Sequence, residues 1–192
     1  MNSPPILLAS TSPQRRAILE QLGIPFEVVP PVYEEHDPPD ADPVELVCRH
    51  AQGKARSVHG GNRPVLGVDT IVRLGDRVLG KAGDPEEAAG MLAVLSGRTH
   101  EVVSGLCLRT GRWEELGTAT TRVTFRGLTP REISAYVASG EWEGRAGAYA
   151  IQGHGAALVE RIEGDYLNVV GLPAALLVRL LAQRFAGLYG FG

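Results

Sequence analysis

At four places in the chain a polar capping residue and a proline together predict the start of a helix. No other feature constrains the fold as strongly. These starts are Ser12-Pro13, Asp42-Pro43, Asp84-Pro85 and Thr129-Pro130. Proline suits the first helical position because its missing N–H is not needed there and its fixed φ is already helical. Glu132, three residues after Thr129, adds a capping box to the last of these starts.

Helices are therefore expected from these starts to about residues 22, 58, 96 and 139, and a last one from Pro173 to about Phe185. Apolar runs typical of strands lie between them, at 6–9, 26–29, 65–72, 101–109, 118–125, 148–152 and 157–162. Gly75-Asp76 predicts a tight hairpin between 72–74 and 77–79. Strands mixed with helices predict an α/β fold with a mixed sheet. Because no linker or repeat divides the chain, we expect a single domain over residues 1–192.

Composition excludes several classes of protein. The 24 Gly and 13 Pro among 192 residues stay below the share of about 25–30% that marks low-complexity chains. The net charge of −3 argues against a broad basic surface, so we expect no nucleic-acid partner. No signal peptide or membrane-spanning run is evident, and Cys48 and Cys107 are isolated. We therefore expect a cytoplasmic protein with no membrane partner.

Lysine is almost absent. Of 19 basic residues only Lys54 and Lys81 are lysines. Under a drift from Lys to Arg, a surviving lysine is a candidate for a role that suits a compact ammonium, such as contact with a phosphate. Chance survival remains the alternative.

Three segments contain residues suited to catalysis or ligand binding. Residues 8–16 lead from a strand into a helix start with hydroxyls and two arginines, which favours an anion site or, equally, an ordinary capped helix. Asp69 lies within an apolar strand, where an unpaired carboxylate is costly. It therefore either ends the strand at a turn or meets a cation, and a role as general base or metal ligand is favoured. The acidic run 34–37 could hold a hard cation or be a solvated loop.

Two further segments are less specific. Residues 75–81 resemble a Walker phosphate-binding loop. However, Ala82 replaces the hydroxyl residue that binds magnesium, and the surrounding sequence predicts a hairpin, so that interpretation is rejected. The glycine-rich segment 144–153 includes Gln152, whose amide could read the edge of a base. A structural loop explains the same residues.

Taken in order, these segments resemble the Maf family of nucleoside triphosphate pyrophosphatases, also named for septum formation inhibition. The matching residues are Leu8-Ala9-Ser10-x-Ser12-Pro13-x-Arg15-Arg16, Lys54-Ala55, Gly67-x-Asp69-Thr70, Gly80-Lys81, Leu95-Ser96-Gly97-x-x-His100, Val123-x-Phe125-x-x-Leu128, Ala146-Gly147-Ala148-Tyr149-x-Ile151-Gln152-Gly153-x-Gly155-Ala156 and Val170-Gly171-Leu172-Pro173. Each motif alone is weak, but the ordered set is specific and covers nearly the whole chain.

The resemblance implies a fold like that of inosine triphosphatase: a curved mixed β-sheet flanked by helices, with a cleft between two lobes, usually as a homodimer. It implies hydrolysis of a nucleoside triphosphate to the monophosphate and pyrophosphate with Mg or Mn, as a step that clears unwanted nucleotides from the precursor pool. A non-catalytic nucleotide-binding regulator of cell division and a phosphatase that releases orthophosphate are the alternatives.

The resemblance also implies roles for particular residues. Asp69 would be the base that activates water and, with Glu35, a metal ligand, although Glu34 could take the place of Glu35. The phosphates would be bound by Ser10, Arg15, Lys54 and Lys81.

Base preference would be set by Gln14, Thr70 and Gln152. Asp69-Thr70 and Ile151-Gln152-Gly153 resemble the branch of the family that acts on dTTP and UTP. Gln14 departs from that branch, which usually has Arg at this position. A preference for 7-methyl-GTP therefore remains an alternative.

Overall fold

The computed structural model describes residues 3–38 and 41–191. Its strands are β1 (Ile6–Leu8), β2 (Phe26–Val28), β3 (Val65–Leu74), β4 (Arg77–Leu79), β5 (Thr99–Arg109), β6 (Glu114–Phe125) and β7 (Val159–Glu163). Its α-helices are α1 (Pro13–Gln21), α2 (Pro43–Arg56), α3 (Pro85–Leu95), α4 (Pro130–Ala138), α5 (Tyr166–Val170) and α6 (Ala174–Phe185). A short 3-10 helix covers Gly153–Leu158.

The four predicted helix starts are confirmed, each with its capping hydrogen bond. Ser12 Oγ accepts from the backbone N–H of Arg15, and Asp42 Oδ1 accepts from those of Val44 and Glu45. Asp84 caps α3 in the same way, and Thr129 and Glu132 form the predicted capping box. These side chains satisfy backbone donors that have no partner within the first turn of a helix.

The sheet is mixed, as predicted. Its hydrogen-bonded strand order is β2-β1-β3-β5-β6-β7, and β4 pairs with β3. Strand β1 runs parallel to both β2 and β3, while β3–β4 and β6–β7 are antiparallel. The predicted hairpin turn is present at Gly75, whose φ of +59° suits glycine.

The chain forms two compact units. The first consists of Met1–Asp69, Ser104–Ala119 and Gly171–Gly192, and the second of Thr70–Val103 and Thr120–Val170. A core in the first unit comprises Leu7, Ala9, Ala51, Ala55, Val58, Val65 and Cys107. A core in the second unit contains Phe125, Tyr136, Trp142 and Tyr149 among aliphatic side chains of β3, α3 and α4.

Two glycines of the first unit let α2 lie unusually close to the sheet. A Cβ on Gly67 of β3 would stand 2.1 Å from the carbonyl oxygen of Ala51, and one on Gly105 of β5 would stand 2.3 Å from that of Val47. Any larger residue at either position would therefore push the helix away from the strands.

The prediction of a strand at residues 148–152 is wrong. Gly147 and Ala148 form a turn with φ values of +69° and +56°, far from the negative φ of a regular strand, and no residue from Tyr149 to Gln152 is in a strand. The strand predicted at 157–162 begins later, because the 3-10 helix occupies the residues up to Leu158. Helix α5 was not predicted. Within the described residues, no helix is long and apolar enough to cross a membrane.

Candidate active site

The centre of the candidate site is an ammonium group between two carboxylates. Lys54 Nζ lies 2.6 Å from Asp69 Oδ1 and 2.6 Å from Glu35 Oε1. The side chains of Lys54 and Asp69 are each 12% exposed, whereas that of Glu35 is 49% exposed. Glu34, the alternative to Glu35, is exposed to solvent. Of the two alternatives that the sequence left open, a turn or a cation partner, the structure shows the second, and the cation lets Asp69 remain within an apolar strand.

The elements around this centre determine its geometry. Lys54 lies in the last turn of α2, and Asp69 lies in β3 just after Gly67, where α2 contacts the strand most closely. Glu35 lies within residues 29–38, which follow β2 and have no regular secondary structure. The short helix–strand distance therefore brings the lysine to the aspartate, and a loop supplies the third group.

Ser10 and Arg15 form a second part of the site. Arg15 Nη1 donates to the buried Ser10 Oγ at 3.0 Å, and Arg15 Nε donates to the carbonyl oxygen of Gly171 at 2.9 Å. Burial lowers the pKa of Arg15, while the negative charges of Asp69 and Glu35 act to raise it. Arg15 is thus close enough to the two carboxylates to interact with both.

The residues present fit a magnesium or manganese ion. The carboxylates of Glu35 and Asp69 converge on one cation, the Lys54 ammonium. Mg²⁺ is usually held by one or two carboxylates together with substrate phosphates and water, so two carboxylates suffice. Among the residues described, no group of three or more His, Cys, Asp or Glu side chains forms a complete protein-only metal site.

The other predicted site residues are placed as follows. Gln14 is in the first turn of α1, where its Oε1 lies 3.0 Å from Ser12 Oγ. Thr70 follows Asp69 in β3, and the exposed Gln152 directly precedes the 3-10 helix. Lys81 is exposed, and its backbone forms an isolated bridge with Ala146. Lys81, Thr70 and Gln152 belong to the second unit, and their roles stay predictions.

Sequence reasoning missed residues that hold the loop of Glu35. His50, on α2, is buried and bonds to both Tyr33 and Asp37, which flank Glu35. The only signal in the sequence was a histidine on the apolar face of a helix, four residues before Lys54. Nothing in that pattern connects it with an acidic loop.

Comparison with known proteins places this chain in a family. A family model described as Maf-like protein matches residues 5–184. A dTTP/UTP pyrophosphatase of Deinococcus radiodurans is 45% identical over 192 residues, covering 99% of this chain and 97% of that protein. One from Moorella thermoacetica is 50% identical over 181 residues, covering 92% and 93%.

The fold is also found in a solved structure. A HAM1 protein from Coxiella burnetii superimposes with a TM-score of 0.51 at 15% identity, covering 94% of this chain and 99% of that one. At that identity the likeness concerns the fold alone. The family match and the near full-length relatives agree with the motifs, and the chain belongs to the Maf-like protein family.

Proposed function

We propose that this protein hydrolyses dTTP and UTP to the nucleoside monophosphate and pyrophosphate. The contact of Lys54 with both Asp69 and Glu35 carries the proposal, because it gathers a base, a cation and a second carboxylate at one point. The relatives named as dTTP/UTP pyrophosphatases match nearly the whole chain, which supports the same reaction.

Each group has a chemical task in this reaction. Asp69 accepts a proton from the attacking water, and Lys54 keeps that carboxylate in place. An ammonium has three N–H donors, so two carboxylates leave Lys54 a third for a phosphate oxygen. Arg15 and Ser10 lie beside these groups and bind further phosphate oxygens. Lys81 supplies another positive charge to the phosphates.

A divalent cation, Mg²⁺ or Mn²⁺, is proposed as the cofactor, held by Glu35 and Asp69. When bound, it neutralises charge on the phosphates and the leaving group. Phosphoryl chemistry asks the protein mainly for positioning and charge stabilisation, and the side chains named here serve both needs.

The pyrimidine preference is proposed to depend on Thr70, Gln152 and Gln14. An amide such as that of Gln152 can donate to and accept from a base edge. Gln14 offers no charge where an arginine is usual in this branch. A comparison of kcat/KM for UTP, dTTP and 7-methyl-GTP tests this preference and would reveal the alternative.

The decisive experiment combines a substrate panel with one substitution. We expect the purified protein with Mg²⁺ or Mn²⁺ to release pyrophosphate from UTP and dTTP. Asp69→Asn should lower kcat by at least about 100-fold, because the base is lost while the shape is kept. Asp76→Asn, on the exposed hairpin turn, is the matched control and should retain full activity. Circular dichroism of both variants checks the fold.

The other outcomes identify the rival functions. Release of orthophosphate in place of pyrophosphate would make the protein a phosphatase. Nucleotide binding without turnover would favour the regulator of cell division. Full activity of Asp69→Asn would exclude Asp69 as the base.

We also propose that the protein is a homodimer that acts in the cytoplasm. Both cysteines, Cys48 and Cys107, are free thiols, as is usual in a reducing compartment. Light scattering after size exclusion should give twice the mass of one chain. We expect neither nucleic acid nor membrane among its partners.

A further inference from the structure

Glu35 poses a positional problem for the proposed site. It is half-exposed and lies on a segment without regular secondary structure, yet it must meet the same cation as Asp69, which is fixed in a strand. Loop residues are more mobile than residues of helices and strands. Something must therefore hold this segment against α2 if Glu35 is to act.

His50 bonds to both sides of that segment. Its Nε2 lies 2.6 Å from Asp37 Oδ1, and its Nδ1 lies 3.0 Å from Tyr33 Oη. A carboxylate only accepts hydrogen bonds, so Nε2 donates to Asp37, and in the neutral ring Nδ1 accepts from the Tyr33 hydroxyl. Tyr33 and Asp37 stand two residues before and two residues after Glu35. One buried side chain thus fixes the loop on either side of the carboxylate.

The same segment also packs against residues of α2 that follow His50. The Tyr33 ring lies directly on Gly53, where a Cβ would approach it to 2.1 Å. At the capping residue that follows α2, Ser57 Oγ accepts from the backbone N–H of Val32 at 3.1 Å and donates to the carbonyl oxygen of Lys54 at 2.8 Å. The loop is therefore fastened along the same helical turns that carry Lys54.

We propose that His50 is a positioning residue that holds Glu35 in place for the divalent cation, acting through Tyr33 and Asp37. The inference rests on the proposed function, since it assigns Glu35 to that cation. Both ring nitrogens of His50 are engaged by Tyr33 and Asp37, so His50 acts through those residues and not as a ligand of the cation. Residues that orient metal ligands typically change metal affinity or activity by about 10- to 100-fold when replaced.

The test measures binding of Mn²⁺ alone, without nucleotide, by electron paramagnetic resonance. His50→Phe keeps an aromatic ring but removes both hydrogen bonds, and we expect a dissociation constant for Mn²⁺ raised by about 10-fold or more. Tyr33→Phe keeps the ring on Gly53 and removes only the hydroxyl. Asp37→Asn weakens the hydrogen bond between His50 and residue 37. Each should give a smaller rise, and neither lies in the core, so folding is retained.

Matched controls separate positioning from general damage. His59→Phe makes the same exchange at an exposed site and should leave Mn²⁺ binding unchanged. With UTP, His50→Phe, Tyr33→Phe and Asp37→Asn should each raise the Mn²⁺ concentration needed for half-maximal rate, while kcat at saturating Mn²⁺ stays within about twofold. A loss of kcat alone would contradict a positioning role.

Glu35→Gln distinguishes the failure of this inference from failure of the proposed function. If Glu35→Gln loses Mn²⁺ affinity and His50→Phe and Tyr33→Phe do not, the positioning role of His50 is wrong and the proposed function stands. If the unaltered protein releases no pyrophosphate, and Glu35→Gln binds Mn²⁺ with the same affinity as the unaltered protein, the proposed function fails. The inference about His50 then fails with it.

Discussion

Lys54 differs from the 17 arginines of the chain in the shape of its charge. A compact ammonium can lie 2.6 Å from oxygen atoms of two separate carboxylates, while a planar guanidinium directs its donors as a fork. At the residue scale, the rarity of lysine thus acquires a physical explanation at this one position. Lysine is retained at position 54, where a guanidinium would fit poorly between the two carboxylates.

Lys54→Arg tests this explanation while keeping the charge. We expect kcat/KM for UTP to fall by at least about 10-fold, since the longer planar group displaces Glu35 or Asp69. Arg49→Lys, the reverse exchange at an exposed position of the same helix, should have no effect. Full activity in Lys54→Arg would mean that the lysine is a remnant of compositional drift.

His100 predicts a pH dependence of stability in the second unit. Its ring is buried, packs edge-on against Phe125 and bonds through Nε2 to Tyr149 Oη at 2.8 Å. Burial lowers the pKa of His100 from 6.5 to about 4. Between those values the unfolded chain binds a proton that the folded chain does not. The free energy of unfolding should therefore be highest above pH 6.5 and fall by up to about 3 kcal/mol as the pH drops toward 4.

Urea unfolding at about pH 7.5 and about pH 4.5 measures this effect. His100→Gln removes the titrating ring and keeps an amide that can bond Tyr149. The variant should show a smaller difference in unfolding free energy between the two pH values than the unaltered protein. Equal differences would show that His100 does not cause the dependence.

At the scale of elements, the position of α2 on the sheet decides whether Lys54 reaches Asp69. Gly67 permits the close approach, because a Cβ there would meet the backbone of Ala51 and the side chain of Ala55. The register of the parallel pair, in which Leu8 faces Leu66, puts the end of β1 beside the residue that precedes Gly67. Packing between a helix and a strand thus governs the chemistry of residues on both.

Gly67→Ala should separate the helix from the strand. We expect a loss of about 1–3 kcal/mol of unfolding free energy from overpacking, together with a fall in kcat as Lys54 moves from Asp69. Gly90→Ala, in α3, is the control, and its effect on the free energy of unfolding should have the opposite sign. A Cβ at Gly90 would meet nothing within 4 Å, so alanine should stabilise the protein by about 0.5–1 kcal/mol. Similar effects of both substitutions on unfolding would refute the close-contact argument.

At the scale of the whole molecule, binding of substrate and metal should stabilise the folded chain. A UTP analogue with an imido bridge between the α and β phosphates cannot be cleaved at the proposed bond. At about 100 times its dissociation constant it should add about 2.7 kcal/mol, which corresponds to a rise in Tm of roughly 5–10 °C. The rise should require Mg²⁺ and shrink in Glu35→Gln. A rise in Tm of the same size without metal would show that neither Glu35 nor the cation contributes to binding of the analogue.

The elements that sequence predicted best carry their own local signals. The caps at Ser12, Asp42, Asp84 and Thr129 satisfy donors within a few residues, so the helix starts need no tertiary information. Residues 148–152 were assigned to a strand because they are apolar. They bond instead to residues distant in sequence, since the Tyr149 hydroxyl bonds to His100 and the backbone N–H of Ala150 donates to the Tyr136 hydroxyl.

The sequence by itself determined the α/β fold, the family and Asp69 as an acid out of place in an apolar strand. Those conclusions rest on local caps, short-range periodicity and ordered motifs. Only the tertiary structure decided that Glu35 and not Glu34 meets Lys54, that Lys54 joins the two carboxylates, and that His50 bonds to the loop on both sides of Glu35. These contacts join residues of α2 to a loop and to a strand that lie elsewhere in the sequence, and the contact with Asp69 depends on close packing of α2 at Gly67, so no local pattern encodes them.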